Sequence, residues 1–410
     1  MAAMLASGPG CRRAQPETGT RVVTVWAHHG QPAERQAMKR IIAAFNEAHR
    51  TEGLRVSIEF FPDRQYADKV SIASATRRLP DVLEMDGPWV GPWAAEGLLR
   101  PLDPFVTSEL RADFLPSILA QGTFDETLYA LGAFDSALVV YFNRDLTEKA
   151  GLHPPESVAD AWDWQTFVEA LRRVRPHAAV PLSLHMDEQG TEWFTYAFSP
   201  LIWSNGGALI DTAQNQVAGV LDGPNNVEAM SRWQALFSEG LAEATTTNPN
   251  PFAAGLAAFD WTGHWMLPSF EASGIRFGAM PLPRMGGRPA AASGSWCWGL
   301  SRECRRPQDA WKVVAWLVDP EHGVEPIVLA NGAVPARRSA FAWFPEYEHM
   351  PRRLFREQLE TAAHPRPRTG VYATLSVEFA RALRDIALGH DVPETLTKAA
   401  QSVQRALDRM

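Results

Sequence analysis

The stretch VTVWAHHGQPAERQAMKRIIAAF, residues 23–45, contains a complete strand-to-helix unit and decides the fold class. Val22 to Val25 form a β-branched apolar run suited to a pleated surface, and Gly30 can take the backbone angles that a sharp turn needs. Pro32 suits a first helical position, Glu34 falls in the first turn, and Met38, Ile41, Ile42 and Phe45 recur at helical spacing. A helix N-terminus and several polar side chains therefore crowd the carboxyl end of an expected parallel strand. In open α/β sheets, ligands bind there.

The same alternation continues downstream. LRVSIEFF, residues 54–61, alternates Leu54, Val56, Ile58 and Phe60 with polar Arg55, Ser57 and Glu59, the period of a strand, and a helix follows through Tyr66, Val70 and Ile72. LPDVLEMD, residues 79–86, predicts a third strand, and WAAEGLLRPLD a short helix closing at Gly97. Strand, helix, strand, helix, strand is the order of a parallel sheet with flanking helices. Beyond TLYALGAFDSALVVYFNRDL the chain turns more helical, as in NNVEAMSRWQALFSEGL, where an Asn cap precedes Met230, Trp233 and Phe237 on one face and Gly240 closes the helix. Strand character returns through IRFGAMPLP and SGSWCWGLS, followed by a helix over Asp309 to Leu317 and a last helical pair.

At 410 residues and 46% apolar the chain suits two lobes with substantial cores. A net charge of −8 and the absence of a basic stripe with interleaved aromatics disfavour nucleic acid as a partner. No run of about 18 apolar residues reads as a membrane span. Fifteen tryptophans stand against six tyrosines, and flat apolar faces with an N–H edge suit the mixed surface of a sugar. Trp311 and Trp316, inside a dense apolar helical pattern, read as packing; Trp26, Trp265 and Trp296 lie beside glycines or polar residues and read as candidates for binding. In the N-terminal tract MAAMLASGPGCRRAQPETGT, Met1 to Ser7 is apolar or small and Cys11 precedes a polar run, so residues 1–20 are expected to be a signal remnant with Cys11 as a lipidation site. Gly8 departs from the apolar residue usual three positions before such a cysteine. Cys297 and Cys304 are too few for a disulfide framework, lack metal spacing, and are expected to be buried thiols.

Eight motifs now stand in order along the chain: VVTVWAHHG, LPDVLEMDGPWVGPWAAEGLLRPLD, LYALGAFDSALVVYFNRDLTEKAGL, NGGALI, AAFDWTGHW, GAMPLPRMGG, AWKVVAWLVDPEHG and NGAVPARRSAF. From Arg21 onward the sequence resembles the family 1 extracellular solute-binding proteins of bacterial ABC importers. The resemblance implies two α/β lobes of the type II periplasmic-binding-protein fold, with a carbohydrate held in the cleft between them and closure about a hinge. The first lobe would combine residues 21–132 with 279–338, and the second 133–278 with 339–410. It also implies a monomer outside the cytoplasm, delivering its sugar to permease subunits and their ATPase, without cofactor, metal or catalysis.

Ligand residues follow from both routes. Trp26, His29 and Gln31 surround the first strand end; a zinc reading of the histidine pair lacks a third ligand at metal spacing. Asp86 ends the third strand, where a carboxylate could accept two hydroxyl hydrogens or simply cap the turn at Gly87 and Pro88. Asp135 falls where a maltose-binding member of the family places a cleft carboxylate. TGHWML resembles the family's glycine-bounded aromatic platform and makes Trp265 a stacking candidate; Trp193 could line the same side or belong to the core, and Trp296 follows SGS, a flexible approach that lets an aromatic come close to ligand. Tyr372 would reach in from the last helices, and Arg337 sits at the expected hinge.

Gln31 replaces a basic residue of the maltose-binding relative, so maltose itself is not implied. No arginine cluster for a phosphate is evident, which weighs against the glycerol-3-phosphate binders of the family. A glycoside hydrolase would need two carboxyl groups about 5–10 Å apart, one with a raised pKa, and no motif for such a pair is present. A sensory lobe pair would use the same cleft.

Overall fold

The computed structural model describes residues 19–188, 191–245 and 248–410; Cys11 lies outside them. The first strand and helix form where their periodicity predicts, as β1 (Arg21–His28) and α1 (Pro32–Ala48). They are followed by β2 (Leu54–Phe61), α2 (Asp63–Ala75), β3 (Val82–Asp86), α3 (Val90–Ala95), β4 (Leu99–Arg100), α4 (Pro116–Gly122) and β5 (Ala130–Gly132). The chain passes through β6 (Phe134–Asp135) into β7 (Leu138–Asn143), then β8 (Val180–Ser183), α5 (Thr191–Ser204), β9 (Ala257–Gly263) and β10 (Phe277–Met280). It returns along β11 (Ala291–Ser293) to β12 (Trp296–Ser301), crosses once more at β13 (Val334–Pro335), and ends beyond β14 (Ala363–Pro365) in α6 (Tyr372–Ala387) and a final helix, Val392–Leu407.

Two sheets result. The first has the order β2-β1-β3-β12-β4, with β5 also paired to β12; β1 runs parallel to β2 and β3, and β12 runs antiparallel to β3. The second has the order β8-β9-β7-β10. Both faces of the first sheet are covered. Val23, Val25 and Ala27 join the main core with Met38, Ile41, Ile42 and Phe45 of α1, while Leu83, Met85 and Cys297 pack with Tyr66, Val70 and Trp93 on the other face. Burial on both sides explains why β3 is buried at every position, where a half-exposed strand would alternate.

Two expectations need correction. The boundary at 279 falls inside β10, which pairs with β7 of the second sheet, and Arg284 donates its backbone N–H to Trp162 O at 2.8 Å. The passage back to the first sheet is made after β11, at Gly294 and Ser295. The helix expected to start on an Asn cap runs Pro224–Ser238 from Gly223 instead, because the Asn226 side chain points inward and donates to the carbonyls of Ala208 (2.7 Å) and Leu221 (3.0 Å). Trp311 stacks on Phe105, and Trp316 packs on Phe45 and His49, as packing residues. Cys297 and Cys304 are free and buried.

Short strands tie the crossings together. β6 pairs with β13, and Leu115 and Ala336 bond through their backbones. Arg337, a ligand candidate expected at the hinge, is committed here: its Nε donates to Asp113 Oδ2 at 2.6 Å, its Nη1 to Val318 O at 3.0 Å, and the guanidinium lies over the Phe114 ring. It braces the crossing and is not brought to the ligand residues.

Burial raises the Asp113 carboxyl, but the Ser339 hydroxyl and the Arg337 guanidinium outweigh it and hold the group below the ordinary carboxylate range. A depressed carboxylate contributes stability that is present above its unfolded value, about 4, and lost as pH falls through its folded value. Asp113→Asn is expected to cost about 1–3 kcal/mol near neutral pH, with the deficit shrinking in acid below about pH 4. Thermal unfolding of both proteins across that range checks this; an equal deficit at every pH would contradict it.

Candidate functional site

β3 and β12 run antiparallel, which sets Asp86 directly opposite Trp296 at the end of the first sheet. Asp86 precedes the turn Gly87–Trp89 but makes no side-chain cap to it. Its carboxylate reaches across the seam between the lobes instead, to Arg366, at 2.5 Å (Nη2 to Oδ1) and 2.7 Å (Nη1 to Oδ2). From the second lobe, Glu192 accepts a further bond from Arg366 Nη1 at 2.9 Å, from the Tyr372 hydroxyl at 2.6 Å and from the Ser376 hydroxyl at 2.7 Å. Only 4% of the Arg366 side chain is exposed, so a charge this deep persists because both neighbours are carboxylates. Burial opposes the guanidinium charge, and Asp86 and Glu192 overcome it and drive the Arg366 pKa well up. Burial raises the Glu192 carboxyl in spite of Arg366.

Aromatic rings line the same seam. Arg366 lies 4.9 Å over the Tyr196 ring, Tyr196 packs against Trp265 at 6.1 Å, and Trp265 meets Trp193 edge-on at 6.2 Å. Trp89, from the turn after Asp86, meets Tyr372 edge-on across the seam. On the first-lobe side Trp296 stacks flat on His28, with centroids 3.6 Å apart, and His28 Nδ1 bonds Glu84 at 2.7 Å. Arg368 also crosses the seam, donating to the carbonyls of Ala120 (2.6 Å) and Thr123 (2.7 Å) at the end of α4.

Behind the rings the polar groups have a defined direction. The Asn331 carbonyl can only accept, so His264 Nδ1 carries the proton and donates to it at 2.9 Å. Its Nε2 then accepts from the Ser136 hydroxyl at 3.0 Å, and Ser136 in turn accepts from Tyr196. Burial pushes the His264 imidazole down to about 4, against the pull of the Asn331 carbonyl, which keeps the ring neutral. Asp135 is fully buried; its Oδ1 accepts the N–H groups of Ser136 (2.8 Å) and Gly294 (3.2 Å), and burial raises its carboxyl.

The expected site residues separate into three groups. Asp86, Trp193, Trp265, Trp296 and Tyr372 meet along the seam, with Asp135 beside them at the crossing. Trp26 packs edge-on against Phe61 at 5.0 Å, beneath Lys69, as part of the core under α2. His29 and Gln31 are exposed at the start of α1, where the Gln31 N–H donates to Glu34 and the His29 carbonyl accepts from Arg35. Glu192, Arg366, Ser376, Tyr196 and His28 were missed. Glu192 adjoins Trp193, and Arg366 lies six residues before Tyr372, so the segments were visible and their pairing was not.

Gly263 precedes the platform ring in an extended conformation open to any residue, yet a Cβ there would collide with the six-membered ring of Trp265. Gly263→Ala is expected to displace Trp265 while leaving the backbone intact. Tryptophan fluorescence should shift with far-ultraviolet dichroism unchanged; an unaltered emission spectrum would show that the ring does not depend on this glycine.

The sequence profile of the bacterial extracellular solute-binding protein family matches residues 29–324. A maltotriose-binding protein of Pyrococcus abyssi is 24% identical over 335 residues, 78% of this chain and 68% of that protein. Among solved structures, the cyclic α-maltosyl-1,6-maltose binding protein from Arthrobacter globiformis superposes with a TM-score of 0.77 at 23% identity, covering 96% of this chain and all of that one. UgpB from Mycobacterium tuberculosis, in complex with glycerophosphocholine, gives 0.81 at 24% identity, covering 95% of this chain and 99% of that one. At such identities the likeness of structure speaks for the two-lobed fold, and the family follows from the profile. The chain belongs to the bacterial extracellular solute-binding proteins.

Proposed function

We propose that the protein captures a neutral carbohydrate, a di- or oligosaccharide, between its lobes and delivers it to the permease subunits of an ABC importer. The observation that carries this reading is the seam, where Trp265, Trp193 and Trp296 stand beside hydrogen-bonding groups from both lobes. Aromatic faces take the apolar faces of a sugar ring, and polar groups replace the hydrogen bonds its hydroxyls lose on leaving water. A ligand touching both lobes favours the state in which they meet, and a ligand touching one cannot.

Charge disfavours the phosphate-bearing alternative. Asp86, Asp135 and Glu192 outnumber Arg366, whose two terminal nitrogens are engaged by carboxylates. Nor is Asp86 placed for hydrolysis, since both of its carboxylate oxygens already accept hydrogen bonds from Arg366. The reading includes a monomeric protein at work outside the cytoplasm and held there by lipid on Cys11. Among the described residues no helix is long and apolar enough to cross a membrane. Mass spectrometry of the native protein that finds Cys11 unmodified would remove the anchor and leave the binding role.

A melting-temperature screen against maltotriose, galactooligosaccharides, tagatose and mannitol tests the function. Maltotriose or a galactooligosaccharide should raise the melting temperature, be recovered unchanged, and lose at least about tenfold in affinity with Trp265→Ala, whereas stabilisation by tagatose or mannitol alone would overturn the oligosaccharide reading in favour of a monosaccharide or polyol. If none of these stabilises the protein, or if one is turned over, the reading fails.

A further inference from the structure

Ten buried side-chain polar atoms lack a hydrogen-bond partner among the described residues, and four of them belong to side chains gathered around the crossing at Gly294 and Ser295: Gln121 Nε2, Asp135 Oδ2, Ser295 Oγ and Arg366 Nε. Buried polar groups are almost always satisfied, and each exception calls for an explanation such as a missing water or ligand. Scattered over a chain of this size they would signify little. Four together do not.

Their neighbours show how closely they sit. Gln121, at the end of α4, accepts the Ser295 N–H on its Oε1 at 2.8 Å. That bond fixes the amide orientation, because the flipped amide would set an NH2 against an N–H. The Nε2 donor therefore faces away from Ser295. Asp135 Oδ1 holds the Gly294 N–H at 3.2 Å, so the same two-residue crossing joins both side chains. A Cβ on Gly294 would lie 3.3 Å from Gln121 Oε1 and 3.8 Å from Arg366 Nη2, which places this glycine between amide and guanidinium. A Cβ on Gly87 would lie 2.7 Å from Gln121 Oε1. Both glycines let their backbones approach the Gln121 amide closely, which a side chain at either position would prevent.

We propose that Gln121, Ser295, Asp135 and Arg366 form a polar subsite at the base of the seam that takes two adjacent hydroxyl groups of the bound carbohydrate. This rests on the sugar-binding reading. Arg366 Nε and Gln121 Nε2 are pure donors, Asp135 Oδ2 is an acceptor when ionised, and the Ser295 hydroxyl can do both. A hydroxyl accepts and donates at once, so a vicinal pair matches the set. A phosphate or carboxylate would meet the Asp135 and Asp86 carboxylates, and an ammonium would meet the two donors. Arg366 then has two tasks: its terminal nitrogens hold the lobes through Asp86 and Glu192, while its Nε remains for the ligand.

Two variants separate this from a purely structural role. Ser295→Ala removes an unsatisfied hydroxyl, so the ligand-free melting temperature should stay level or rise, while affinity for the sugar that most stabilises the wild type should fall about 10- to 100-fold. Gln121→Glu keeps the acceptor for the Ser295 N–H and exchanges donor for acceptor, and should weaken the same sugar at least as much. Calorimetry of both variants with maltotriose, galactooligosaccharides, tagatose and mannitol supplies the readout. If wild type binds one of them and both variants bind it equally well, the subsite is overturned and the sugar-binding reading stands. If wild type binds none, both fall together. A lowered ligand-free melting temperature in Ser295→Ala would also overturn it, by showing that the hydroxyl already has a partner.

Discussion

One buried guanidinium organises the region where the lobes meet. Arg366 comes from the segment leading to α6, yet its bidentate partner, Asp86, ends the third strand of the opposite sheet. Removing one member of such a buried pair costs about 3–5 kcal/mol, because the remaining charge is stranded away from water. The buried Asp86 carboxylate is therefore matched by Arg366, and Glu192, itself held by the Tyr372 and Ser376 hydroxyls, takes a further bond from the same guanidinium. The lobes are joined here by a side-chain ion pair as well as by their crossing strands.

The aromatic rings have meaning in relation to that pair. Trp265, Trp193 and Tyr196 lie on the second-lobe side, Trp296 and Trp89 on the first. Each ring is anchored by something behind it: Trp296 by the flat face of His28, Trp193 by its indole N–H on the Leu184 carbonyl, and Tyr196 by the hydroxyl relay through Ser136 to His264. Rings fixed in this way have little side-chain freedom left to lose.

What could be read from the sequence was what depends on short-range pattern. The strand period in 54–61, the helix spacing of Met38, Ile41, Ile42 and Phe45, and the glycine before Trp265 are all encoded within a few residues of where they act. The pairing of residues 86 and 366 is not, since no local rule relates a carboxylate to a guanidinium 280 positions away. For the same reason Arg337 and Arg366, both in proline-containing loops near the end of the chain, could not be told apart until Asp113 was found beside one and Asp86 beside the other. His28 is a different case. Within β1 it has the same parity as Trp26, opposite to core-facing Val25 and Ala27, so the alternation held a signal for it that the attention to His29 and Gln31 passed over.

The order of strands in the first sheet has a consequence for how the chain comes into being. β12 lies beside β3 in that sheet, yet it is made from residues 296–301, about 210 positions after its neighbour. During synthesis β3 must wait, one edge unpaired, until nearly three quarters of the polypeptide exists. An open apolar edge is a template for wrong partners. Neither half of the gene encodes a finished half of the protein, and nascent chains shorter than about 300 residues are, by topology alone, clients for whatever shields them.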